Sequence, residues 1–162
     1  LFEEFGYRLL DSNTVEIASY TGYEPYVTVP ASINGATVSS IGGYAFAGSD
    51  TLQTVSLPDT ITSIGTGAFR DCEFLNHVKL PDGLKILSPQ AFRYCMNLEE
   101  VNLPDTVIRI GEEALRGTGI RDFRVPKGVL VIEFATFADC SKLRNIMLPE
   151  GLLSIEGGSF ES

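Results

Sequence analysis

Two unrelated residue types keep one period along this chain. Proline stands at Pro30, Pro58, Pro81, Pro104, Pro126 and Pro149, spaced 28, 23, 23, 22 and 23. A bulky apolar residue stands at Phe46, Phe69, Phe92, Leu115, Phe137 and Phe160, spaced 23, 23, 23, 22 and 23. A period in the range of about 20–29 residues is the signature of a solenoid, in which each copy forms one coil and buries its apolar side against its neighbours. A lone copy has too few apolar side chains to offset the entropy of ordering its backbone, so the coils have to stack.

The copy LQTVSLPDTITSIGTGAFRDCEFLN reduces to LxxVxLPxxIxxIGxxAFxxC. Alternation in LxxVxL sends Val55 and Leu57 inward and Thr54 and Ser56 outward. Proline ends that strand because it cannot donate to a ladder. IxxI supplies a second short inward pair, Ile61 and Ile64, and the glycine after it (Gly42, Gly65, Gly111) is expected to permit a bend. The Ala-Phe pair fills the interior, and a short helical turn is expected there. The first copy carries five extra residues between Pro30 and Val38. The one-residue deletion falls between Leu115 and Ile120, where Gly117 and Gly119 suit a tightened turn.

Residues 1–162 form a single repeat domain on this reading: a cap at 1–25, then six repeats over 26–162 with the last incomplete. Tyr7–Leu10 and Val15–Tyr20 read as strands joined by a turn at 11–14, a hairpin that covers the edge of the first repeat. The sequence stops two residues after Phe160, in mid-repeat, as expected of a piece of a longer protein or an unfinished terminal turn.

Composition narrows the function classes. The formal charge is −9, and the 12 basic residues are scattered, which argues against a nucleic-acid partner. No run of 18 apolar residues suggests a membrane span, and the opening residues do not read as a secretory signal. Cys72, Cys95 and Cys140 are odd in number and lack a CxxC pair, so they read as a column of small buried residues, with neither a disulfide framework nor a metal site expected. His77 has no nucleophile or orienting carboxylate placed by the pattern. Glu99, Glu100, Glu112 and Glu113 read as solvated charge, since glycosidase chemistry needs two carboxyls facing across a cleft. No phosphate loop follows the paired glycines. No cofactor is called for, and no catalytic residues are assigned.

The outward positions of the LxxVxL strands stack into one face: Thr54 and Ser56, His77 and Lys79, Glu100 and Asn102, Asp122 and Arg124, Asn145 and Met147. This face is the candidate ligand-binding surface. On the IxxI side the outward positions turn apolar toward the C-terminus, and Ile108, Leu130, Val131 and Leu153 form a candidate interface patch for self-association or for further repeats. If the inward phase slips by one residue, these four become core instead.

LPDTITSIGTGAFRDC, LPDGLKILSPQAFRYC and VPASINGATVSSIGGYAF resemble the BspA-like, Treponema-type leucine-rich repeat family, over roughly residues 7–160. VEIASYTG followed by VPASINGATVSSIG is similar to that family's usual opening segment. The resemblance implies a β-rich repeat solenoid, a right-handed coil of short strands and short helical turns behind an N-terminal β-hairpin. It further implies a non-catalytic protein-binding or adhesion module of a secreted or cell-surface protein, mostly bacterial. The partner expected is a protein, such as a host or extracellular-matrix protein, or a cell-surface glycan. The rival readings are a structural spacer and a targeting module attached to an enzyme in a longer chain. Leu115 for Phe, Thr118 near the missing Cys position, and Ser88, Glu133 and Glu156 for Gly depart from the pattern.

Overall fold

The structure is a computed structural model that describes residues 3–162; the first two residues of the expected cap lie outside the described residues. Among the described residues, fourteen short strands form an N-terminal hairpin and then wind through six coils. One sheet face is built from the LxxVxL segments: β3 (Tyr26–Thr28), β6 (Thr54–Ser56), β8 (His77–Lys79), β11 (Asp122–Arg124) and β13 (Asn145–Met147). The other is built from the IxxI segments: β5 (Ala36–Ile41), β7 (Ser63–Ile64), β9 (Ile86–Leu87), β10 (Arg109–Ile110), β12 (Val131–Ile132) and β14 (Ser154–Ile155). Successive coils pair parallel and in phase, so Val55 lies beside Val78, and Ile41, Ile64, Leu87 and Ile110 form one buried column.

The expected hairpin is present. β1 (Phe5–Leu9) pairs antiparallel with β2 (Thr14–Tyr20), and Asp11 closes the turn by accepting the N–H groups of Asn13 and Thr14. It caps one sheet only: β2 pairs with β5, while β3 remains the edge strand of the other face. Tyr20 stacks on Phe46 at 5.0 Å and closes the aromatic column from that end. The extra residues of the first copy make β4 (Ser32–Ile33), which pairs back on β5 through Asn34-Gly35, both at positive φ, the chemistry of a two-residue hairpin turn.

Two expectations are corrected. No helix forms at the Ala-Phe segments among the described residues. N–H groups there alternate in direction. In the second coil Ala68, Arg70 and Cys72 close tight turns on Gly65, Gly67 and Phe69, while Gly67, Phe69 and Asp71 donate to Pro89, Ala91 and Arg93 of the next coil. A helix would point every N–H along its own axis; left-handed residues at Gly67 and Asp71 prevent that. The in-phase positions Tyr44, Gln90, Glu113 and Ala135, and Tyr94 and Asp139, share the conformation.

The glycines after IxxI do not supply a left-handed bend either; none of Gly42, Gly65 and Gly111 has positive φ. They give clearance between coils. A Cβ on Gly65 would meet backbone of Gly42 and Gly43 at 2.7 Å, and one on Gly111 would meet Pro89 at 2.5 Å. Where Ser88 and Glu133 stand instead, the pattern departs at a contact between coils.

The core follows the pattern. Phe46, Phe69, Phe92, Leu115 and Phe137 are fully buried, with Phe46–Phe69 and Phe69–Phe92 rings stacked at 4.9 and 5.2 Å. Cys72, Cys95 and Cys140 are free, buried thiols. Each donates to a carbonyl of the preceding coil, those of Phe46, Phe69 and Leu115. Burial pushes the Cys95 and Cys140 thiols above their ordinary range. Thr118 stands in the same column, 3.5 Å from the Cys140 sulfur. In the last coil the inward residues Leu148, Ile155 and Phe160 are exposed.

Candidate functional site: the outward strand face

The LxxVxL strands expose two columns. Pairing sets Tyr26, Thr54 and His77 in one and Thr28, Ser56 and Lys79 in the other; Asp122 with Asn145 and Arg124 with Met147 continue them. Tyr26 and Thr28 are additions. The proline at Pro30 marks their strand as clearly as Pro58 marks the next, and aligning VTVP with VSLP places them outward.

The face is not one continuous sheet, contrary to expectation. Glu100, Val101 and Asn102 of the fourth coil belong to no strand, and the sheet stops at β8 and resumes at β11. The other sheet parts between β10 and β12. Both breaks border the 22-residue spacing. The ladder of tight turns carries on across it, with Glu113, Leu115 and Gly117 donating to Phe134, Thr136 and Ala138. The missing residue therefore loosens the two sheets and leaves the turn ladder as the continuous spine. Glu100 and Asn102 are still exposed while Val101 is buried, so the outward phase survives the break.

Charge on the face is sorted into pairs near the break. Glu99 accepts from Arg121 (2.9 Å) and Lys142 (3.0 Å), which holds its carboxyl down to about 2. Arg124 pairs with Asp105 at 2.7 Å and draws that carboxyl below its usual range, and Asn145 donates to Asp122 at 2.6 Å. Glu99, Glu100, Asn102, Arg121 and Asp122 line a hollow of about 360 Å³ at the break. A second of about 280 Å³ runs from Asn102 to Met147. Lys79 has no ion-pair partner among the described residues, and neither does Arg144 at the other end of the face. His77 is exposed, one coil from Thr54. No group of three or more metal-ligating side chains occurs among the described residues, and no helix among them is long and apolar enough to cross a membrane.

The apolar patch lies where the unshifted phase puts it. Ile108 and Leu130 are exposed, Leu153 is 76% exposed, and Val131 is half-buried. Ile110 and Ile132 beside them are fully buried, which disposes of the one-residue slip.

The fold is shared with solved structures. A leucine-rich repeat protein of T. pallidum is 26% identical over 96% of this chain and 84% of its own, with a TM-score of 0.85. A leucine-rich cell surface protein of Faecalibacterium prausnitzii is 30% identical, TM-score 0.89, and a leucine-rich repeat protein of Bacteroides ovatus is 29% identical, TM-score 0.87. Those two matches take in 99% and 94% of this chain but only 45% and 42% of the other proteins. No curated protein sequence matches. The BspA type leucine-rich repeat region matches residues 28–143 and 73–162, with six copies. Six in-phase coils, the Ala-Phe turn ladder and these matches agree: the chain belongs to the BspA-type leucine-rich repeat family.

Proposed function

We propose that this chain is a non-catalytic binding module of a secreted or cell-surface protein, and that its outward strand face takes a protein ligand. The observation that carries the reading is the face itself. Two outward columns run over an interior that is buried through the first five coils, with the unpaired cation Lys79 beside Ser56 and the hollows of the fourth and fifth coils at the other end. Repeat solenoids present such extended faces because every coil repeats the same outward positions. Family membership and the likeness to a cell surface protein of F. prausnitzii support a surface setting. A host or extracellular-matrix protein is the partner class we put forward.

The test is a binding panel of matrix proteins against the chain and against Lys79→Glu with Arg124→Glu. Affinity for the captured protein should fall roughly tenfold, mainly through slower association. The melting curve should move little, because the Arg124–Asp105 pair is exposed and worth little. Binding unchanged in the double variant would move the site off this face.

A second reading is favoured by the aliphatic strip: weak self-association through Ile108, Leu130, Val131 and Leu153. Few side chains contribute, so the contact falls short of the roughly 1,200 Å² of a stable interface. A light-scattering mass that rises with concentration, and stops rising in Leu130→Lys with Leu153→Lys, is the expected result. A constant mass over the dilution series would remove this reading.

A further inference from the structure

The shortened connection between the fourth and fifth coils makes a notch on the turn side of the molecule, next to the strand-face hollow and joined to it by the Lys142–Glu99 pair. The connections after Cys72, Cys95 and Cys140 each carry two exposed residues and then a leucine: Glu73-Phe74, Met96-Asn97 and Ser141-Lys142. Each closes by the leucine N–H donating to the cysteine carbonyl, at 3.1, 3.0 and 3.0 Å. The fourth coil has Thr118-Gly119-Ile120 in that place. It lacks the closing bond among the described residues, and its single intervening residue, Gly119, is buried. The row of paired exposed side chains therefore drops out for one coil.

The resulting cavity measures about 390 Å³. Its floor is Gly117, Thr118 and Gly119. One wall is Tyr94, Met96 and Asn97, the other Asp139, Ser141 and Lys142. The floor is kept bare by its neighbours. Gly117 has φ +68°, and a Cβ there would meet the Tyr94 ring; a Cβ on Gly119 would lie 2.5 Å from the Met96 carbonyl oxygen. Coils are ~4.8 Å apart, so walls two coils apart stand about 10 Å from each other.

We propose that this notch is a binding site for a neutral pyranose residue of a glycan. The charges at its rim are already used: Asp139 pairs with Arg116 at 2.8 Å and Lys142 with Glu99 at 3.0 Å. What faces the cavity unpaired is uncharged. The Ser141 and Tyr94 hydroxyls have no hydrogen-bond partner among the described residues. The Asn97 amide spends one N–H on the Glu73 carbonyl and leaves the other N–H and its oxygen free. Met96 gives the apolar side, and the Tyr94 ring, with the Arg93 and Arg116 guanidinium groups 4.9 and 5.8 Å from its centroid, lines the same wall. A sugar ring combines those properties, with C–H surface on its faces and hydroxyls that donate and accept around its rim. The volume sits near the low end of small-molecule pockets, about 300–1,000 Å³, enough for one ring and its substituents.

Saturation-transfer NMR with methyl glycosides of neutral hexoses and N-acetylhexosamines, at millimolar concentration, tests the site. At least one should receive saturation from the chain. An asparagine inserted between Thr118 and Gly119 restores the 23-residue spacing and places a side chain in the notch; the signal should then fall at least fivefold while the melting temperature holds or rises. Asn97→Ala with Ser141→Ala, two exposed positions, should weaken the signal without touching the fold, and it serves in place of the insertion if that variant does not fold. The Lys79→Glu, Arg124→Glu variant should keep the full signal, which separates this site from the strand face. No saturation of any glycoside, or a signal that survives both notch variants, overturns the proposal. So does loss of a matrix-protein interaction on insertion without any glycoside binding, which assigns the notch to a protein partner.

Discussion

Phe69→Ala and Phe92→Ala should each lower the unfolding free energy by about 3–5 kcal/mol, read from urea or thermal denaturation. Both rings are fully buried, Phe69 stacked between Phe46 and Phe92 at 4.9 and 5.2 Å and Phe92 on Phe69, so removing one leaves a void that adjacent coils cannot collapse into without breaking the turn ladder. Backbone bonds from Phe69 to Ala91 and from Phe92 to Ala114 hold the coils at fixed spacing on either side. Leu115→Ala should cost about 2–5 kcal/mol, since it empties the same column with a smaller side chain. Phe160→Ala should cost clearly less, because that ring is 43% exposed. An unmoved transition for Phe92→Ala would mean that the aromatic column is not what holds the coils together.

Gly65→Ala is the second large effect, and it runs opposite to helix and strand propensity, which favour alanine. The added methyl would lie 2.7 Å from Gly42 and Gly43 backbone and 2.9 Å from the Ile41 carbonyl oxygen. Backbone held by ladder bonds on both sides cannot yield as a flexible side chain would. Overpacking of this kind costs roughly 1–3 kcal/mol, occasionally more. Gly151→Ala is the control: a Cβ there meets nothing within 4 Å, and its φ is not positive. It should leave stability within about 0.5 kcal/mol of the parent. Equal melting of the two variants would show that the glycines after IxxI are not clearance positions.

Those glycines also mark where reading the sequence stops short. A glycine in a motif says that a Cβ is unwelcome. It does not say whether the reason is the residue's own φ or the backbone of another coil, because the second partner lies a whole repeat away. The Ala-Phe turn is the same kind of case. Alanine and phenylalanine at that spacing suit a helical turn as well as a tight one, and what excludes the helix is the demand of the next coil for every second N–H. The left-handed residues that meet this demand include Gln90, Glu113 and Ala135, types with no local preference for that conformation. Tertiary hydrogen bonding imposes it on them.

The columns of the candidate face from Thr54 and Ser56 onward, by contrast, were legible in the sequence, and Tyr26 and Thr28 extend them by the same rule. Period-two alternation around a proline fixes which side chain points out, and stacking copies 22 or 23 residues apart fixes which ones become neighbours. The buried aromatic and thiol columns, the hairpin at the start and the apolar strip at Ile108, Leu130 and Leu153 follow from the same two periods. The break in the face did not follow from them. One missing residue between Leu115 and Ile120 is visible in the sequence, but how three parallel ladders share the strain is not. Each ladder's strength depends on bonds made between coils: the turn ladder, with its alternating N–H groups, stays in step, and the shorter sheet ladders on either side give way. Local spacing determined the coil and its faces; the competition among ladders, settled only when the coils are stacked, decided where those faces open.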